Sequence, residues 1–167
     1  MSSIADKGTM VPTNDEWGGI DKNIEPVVRA LNALDIPTSG SCEGHSDHGY
    51  PSPWISIRSK NDSHKDYEAL RTRVSAFLDE FYAHRDVPPD IKISILDGHR
   101  GFSLHAASKK FIAYRTMFNE RAVARGAGYA ISDNVIDENE QASRRNSIPL
   151  MQSEFRAFGA FLISKAP

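Results

Sequence analysis

Apolar residues recur at two different periods along this chain, and the order of those periods limits the folds open to it. Period two appears in Trp54-Ile55-Ser56-Ile57-Arg58, in Ile91-Lys92-Ile93-Ser94-Ile95-Leu96 and in Phe102-Ser103-Leu104-His105. These read as strands, and the turn composition of Asp97 to Gly101 joins the last two as a hairpin. The helical period marks four other segments. Ile24, Val27, Val28, Leu31 and Leu34 form one stripe, with Asn23 as N-cap, Pro26 in the first turn and Pro37 as the stop. Tyr67, Leu70, Val74, Phe77, Leu78 and Phe81 form a second, from Ser63 (a capping box with Asp66) to His84, before Pro88-Pro89. A third helix runs from Ser108 to about Arg125, where Gly126 and Gly128 stop it, and Tyr129 to Ile131 suggests one more short strand. The fourth starts near Ser147, with Pro149 in its first turn and Met151, Phe155, Phe158 and Leu162 on one face.

This order predicts a single α+β domain, a mostly antiparallel sheet with about four helices packed on it. Residues 1–18 read as a flexible arm, 19–132 as the core, 133–146 as a polar linker and 147–167 as a helix packing on the core. Alternation places Ile55, Ile57, Ile91, Ile93, Ile95, Phe102 and Leu104 toward the helices. Ser56, Arg58, Ser94, Ser103 and His105 then face the other way, as solvated surface or as the floor of a pocket.

Composition closes off several functions. The net charge of -2 gives no global basic field, so charge does not support a nucleic-acid partner, although a local basic patch stays open. A single cysteine excludes an intrachain disulfide. No run approaches the roughly 20 apolar residues of a membrane span. The first ten residues lack the basic start and apolar run of a signal peptide. A soluble, cytoplasmic protein is expected.

Chemistry concentrates in Pro37 to Gly49, a Gly/Ser-rich run holding the only cysteine and two of the six histidines. Cys42, His45 and His48 are spaced Cys-x2-His-x2-His, which suits zinc, with His99 or His105 completing the set from a distance. Alternatively, Cys42 is a thiol activated by His45 or His105, with Glu43 orienting an imidazole, or an inert small residue. The amides and hydroxyls from Thr38 to Gly44 also suit capture of an anion or polar ligand. No Gly-Lys-Ser/Thr follows, so this is no Walker loop, and no strand precedes it as a dinucleotide fingerprint requires. His64, His84 and His99 read as surface residues, Arg144-Arg145 as a solvated pair or a phosphate contact, and Trp54 as a core or stacking ring. The aromatic face of the last helix, with Phe155, Phe158 and Phe161, is core or an interaction surface.

Asp21, Ile24, Leu31-Asn32, Thr38 and Ser41-Cys42-Glu43-Gly44-His45 resemble the opening of the wybutosine-synthesis methyltransferase family. Gly101 to Ala106 resembles that family's Leu-His strand, and Phe111 to Tyr129 its next helix with a Gly-rich end. The islands fall within residues 20–131. Small bacterial and phage proteins with a Ser-Cys-x-Gly-His loop are similar by the same motif. The resemblance implies an α+β fold in which the loop and the Leu-His strand converge, with Ser41, Cys42, Gly44 and His105 at the site. It also implies S-adenosylmethionine as methyl donor and a modified guanine in tRNA as substrate. His45 stands where the family has Arg.

Two expectations follow. One is a methyltransferase-like enzyme acting on a small-molecule or nucleotide ligand, with His45 or His105 as base and Cys42 lining the pocket. Thr38, Ser39, Ser41, Glu43, Gly44, Arg58 and Ser103 would hold the ligand. The other is a non-catalytic metal-binding or nucleotide-sensing module that holds zinc through Cys42, His45 and His48. The oligomeric state is left open by both.

Overall fold

A computed structural model describes residues 19–99, 101–106, 108–125 and 136–167, the side chains at 108 and 121–125 excepted. The expected arm, the glycine stop at 126 and 128, the strand at 129–131 and the linker's first residues lie outside the described residues. The elements are α1 (Glu25–Ala33), β1 (Thr38–Cys42), β2 (Trp54–Arg58), α2 (His64–Tyr82), β3 (Ser94–Asp97), β4 (Gly101–His105), α3 (Ser108–Arg125) and α4 (Glu138–Ile163). The strands form one antiparallel sheet in the order β1-β2-β4-β3. This is the α+β fold that the two periods predict.

Register sorts the side chains onto two faces, because directly opposed residues in antiparallel strands share a face. Ile55 pairs with Leu104 and Ile57 with Phe102, and all four are buried. Val27, Val28 and Leu31 of α1, Val74, Leu78 and Phe81 of α2, and Met151, Phe155, Phe158 and Leu162 of α4 cover that face. Ile91, Ile93 and Ile95 join the same core, as alternation requires. The aromatic face of α4 is therefore core, with Phe161 packed against its edge. On the opposite face, Phe111 of α3 stacks on His105, ring centroids 4.6 Å apart and planes 2° from parallel. Tyr50 lies against Trp54, Phe111 and Tyr114, so Trp54 belongs to a second aromatic group beneath α3.

Four features depart from the sequence reading. Thr38 to Cys42 is a strand where a loop is expected. Its residues are small and mostly polar, so no alternation betrays it, and pairing with the edge of β2 decides its conformation. β3 begins at Ser94 rather than Ile91, because the Ile93 N–H donates to the Tyr82 hydroxyl (2.8 Å) instead of a strand partner. Asn23 does not cap α1; its N–H and side-chain amide both donate to Glu43, and Ile24 holds the cap position.

The fourth departure is α4. It starts at Glu138, so residues 138–146 are helix and not linker. Asp137 caps it by accepting from the Glu140 N–H at 2.8 Å. Pro149 sits inside the helix instead of its first turn. The early turns read as linker because Arg144 is their one buried residue, leaving no apolar stripe to see. Among the described residues, no helix is long and apolar enough to cross a membrane.

Candidate functional site

The segment after β1 is fixed by polar ties rather than by apolar packing. Arg144 of α4, 4% exposed, donates through Nη1 to the carbonyls of His45 (3.0 Å), His48 (3.3 Å) and Gly49 (2.8 Å). Its Nε donates to Glu140 at 3.1 Å. The expected solvated pair is thus half wrong: Arg145 is exposed, but Arg144 is a buried clamp. Nη1 has two N–H groups, so the three carbonyls share them, while the rigid guanidinium turns its Nε N–H to Glu140. Gln152 donates to the Glu43 carbonyl (3.0 Å), and the His45 N–H donates to the Tyr50 carbonyl (3.0 Å). Gly44 has φ of +81°, and a Cβ there would lie 3.0 Å from the Ser52 carbonyl carbon, so the turn requires glycine.

These ties bring three donors together. Asp21, before α1, Cys42, ending β1, and His45 each offer a ligand atom, all within 4.8 Å of one another. All three are half-buried. Asp21 Oδ2 accepts the Glu43 N–H at 2.9 Å, and Cys42 Sγ accepts the Gly44 N–H at 3.4 Å. Glu43 orients no imidazole; its Oε2 accepts from the Asn23 N–H (3.0 Å) and Nδ2 (2.9 Å), anchoring the turn to α1. His48 takes a different place from the one its spacing suggests. Its ring stacks on His45 with centroids 4.2 Å apart, and its Nδ1 contacts Asp47 at 2.6 Å.

The thiol is not primed for nucleophilic attack. The Cys42 thiol is pushed up to about 11, chiefly by burial; the Gly44 N–H on its sulfur opposes this, and the charges of Asp21 and Glu43 add to it. At neutral pH it is a protonated SH unless a cation compensates. His105 cannot deprotonate it. Cys42 and His105 are both register partners of Trp54, on opposite sides of β2, so two strand spacings, about 10 Å, separate their backbones. His105 is 2% exposed and stacked on Phe111, and its Nδ1 has no hydrogen-bond partner among the described residues. Burial holds its pKa below the usual histidine value, Ala106 raises it slightly and the charge of Arg115 lowers it.

The remaining expected ligand residues fall elsewhere. Thr38 is buried on the core side, and its Oγ1 accepts from Asn32 Nδ2 at 3.0 Å. Ser41 opposes Ile55, toward the helices. A bulge between Thr38 and Gly40 turns Ser39 to the other face, where its hydroxyl bonds Ser56 at 3.1 Å. There Ser39, Arg58 and Ser103 share a cavity of about 230 Å³ with Ser56, His99 and Arg115. His64 and His84 are exposed, as expected. The structure therefore divides one predicted site into two, a Cys/His/Asp cluster beyond the end of β1 and a Ser/Arg cavity near its start.

Asp21, Arg144 and Arg115 are not among the site residues that the sequence suggests. Asp21 enters there only through the family resemblance, because a ligand two elements away leaves no spacing to read. Arg144 lacks any local signal. Comparison with protein-family models, curated proteins and solved structures found no match.

Proposed function

We propose that this protein binds a divalent transition metal of the zinc type through Asp21, Cys42 and His45. The observation that carries the proposal is the convergence of a carboxylate, a thiol and an imidazole within 4.8 Å. All three are zinc ligands, and three protein ligands leave a coordination position for water or substrate. The Gly44 N–H on Sγ and the Glu43 N–H on Asp21 fix the donors in place, as partners of metal ligands do. A bound cation would displace the thiol proton, so affinity rises with pH. Held by Asp21, Cys42 and His45, such a metal would supply a Lewis acid that could polarise a substrate or lower the pKa of a bound water.

Methyl transfer from S-adenosylmethionine to a nucleotide-type substrate ranks second as a proposal. Its support is the sequence motif. Of its two suggested bases, His45 and His105, the second is sealed beneath Phe111.

A competitive zinc titration of chelator-treated protein tests the first proposal. The expected result is one zinc per chain, lost in Cys42→Ala and weakened at least about tenfold in Asp21→Asn, since loss of one ligand removes a strong, charged contact. His48→Ala should bind like wild type. Equal loss in His48→Ala would move the site to the Cys-x2-His-x2-His set, and no binding by folded wild type would sink the proposal.

A further inference from the structure

We infer that the polar face of the sheet holds a phosphoryl group, at a site apart from the Cys/His/Asp cluster. Three hydroxyls cross three strands in a row. Ser56 and Ser103 are register partners, and Ser39 Oγ donates to Ser56 Oγ, which leaves the Ser56 proton to give. Arg58 stands two residues further along β2 on the same face. Its register partner is Gly101, which puts no side chain beside it. A Cβ at Gly101 would fall 2.2 Å from the Ile57 carbonyl oxygen, so no other residue fits that position without parting the strands. Arg115 comes from α3, its Nη2 3.7 Å from where a Cβ on Gly98 would stand.

The cavity these groups line carries two guanidiniums, the His99 imidazole and three hydroxyls, and among the described residues no carboxylate lines it. Two acids nearby are already engaged. Asp97 is bound by Arg71 and Tyr67. Asp62 takes two of the five N–H donors of Arg58, at 3.3 and 3.2 Å, which leaves three. A surface made of donors from several directions suits a tetrahedral oxyanion better than a planar carboxylate or a neutral group.

Size narrows the ligand. About 230 Å³ is below the roughly 300–1,000 Å³ of a site that encloses a whole small molecule. It accommodates a head group. A second cavity of about 510 Å³, on the α2 side, shares Gly98 and His99 with the first but is lined also by Ser59, Asp62, Ser63, His64 and Tyr67, so it is a separate space. The Ser59 hydroxyl there is buried and has no hydrogen-bond partner among the described residues. The first space fits the phosphoryl group of a phosphomonoester, its oxygens on Ser56, Ser103, Arg58 and Arg115.

Calorimetric titration of the full chain at fixed ionic strength tests this, with inorganic phosphate, ribose 5-phosphate, ribose and acetate as probes. Saturable one-to-one binding of phosphate and of ribose 5-phosphate is expected, with none of ribose or acetate. Arg115→Ala should weaken phosphate at least about tenfold, as loss of a charge-assisted contact does. Ser103→Ala should weaken it less, and Cys42→Ala not at all. If Arg115→Ala does not fold, Arg115→Lys and Ser103→Ala decide. No saturable phosphate binding by folded wild type overturns the inference, as does undiminished binding in the Arg115 and Ser103 variants. Acetate binding as well as phosphate overturns the phosphoryl assignment. A folded wild-type protein that takes up no zinc but still binds phosphate would refute the metal site and leave this one standing.

Discussion

His105 shows how a single residue's surroundings decide its role. A histidine on a strand beside a thiol-bearing loop invites a catalytic reading, but burial and the Phe111 stack make it a neutral packing ring. Burial holds its folded pKa below that of the unfolded chain, about 6.5, so the unfolded state gains the proton first. His105 therefore favours folding above about pH 6.5, and that stability is lost as pH falls through the folded pKa. We predict that wild type loses more stability than His105→Phe between pH 7 and pH 5, measured as the shift in urea midpoint. Parallel acid sensitivity in the two proteins would contradict a buried neutral ring. Cys42 is the complementary case. Burial keeps it a protonated thiol at neutral pH, so in the proposed metal site the cation would have to displace that proton.

At the scale of elements, what the sequence makes legible is what burial writes in periodic form. The isoleucines of β2, the stripes of α1 and α2, and the C-terminal half of α4 bury repeated apolar side chains, and each stands where the periods place it. The elements hidden from the sequence have no such repeat. β1 is held by pairing with β2, and the first turns of α4 by a cap and by Arg144. The candidate site is half legible for the same reason. Cys42 and His45 are close in sequence and can be read together, whereas Asp21 reaches them only through the hydrogen bonds that tie α1 to the turn after β1.

Arg144 connects these elements. Removing it leaves three loop carbonyls without their donor, and unsatisfied buried polar groups cost about 1–3 kcal/mol each before any rescue by water. We expect Arg144→Ala to lose about 3 kcal/mol in denaturant unfolding and to weaken zinc binding as well. Arg144→Lys should recover only part, since an ammonium cannot present the guanidinium's fixed fan of donors. Full stability in Arg144→Ala would show that the clamp is incidental.

Over the whole molecule, the sheet separates two tasks. One face carries the apolar core under α1, α2 and α4, and the other carries the Ser/Arg cavity and the aromatic group under α3. α4 serves both stability and site, packing its apolar stripe on α1 while Arg144 and Gln152 hold the turn that presents His45. At Gly159 the backbones approach so closely that a Cβ would lie 3.0 Å from Val27 Cα. Ending the chain at residue 146 removes Ile148, Met151, Phe155, Phe158 and Leu162, all buried. At roughly 1.5–3 kcal/mol for each buried side chain, their loss rivals the entire stability of about 5–15 kcal/mol typical of a domain. The truncated chain should show no cooperative melting transition by calorimetry, and a cooperative melt near that of the full chain would refute this account of the core.

The central claim, that the fold assembles Asp21, Cys42 and His45 into a metal site, is tested most directly by the absorption spectrum of the protein loaded with cobalt(II). Thiolate bonded to cobalt gives a charge-transfer band in the near ultraviolet that no oxygen or nitrogen ligand produces. The account predicts that band in wild type at one equivalent of cobalt, its retention in His48→Ala and its disappearance in Cys42→Ala. A folded wild-type protein that takes up no cobalt, or binds it without the thiolate band, would contradict the site.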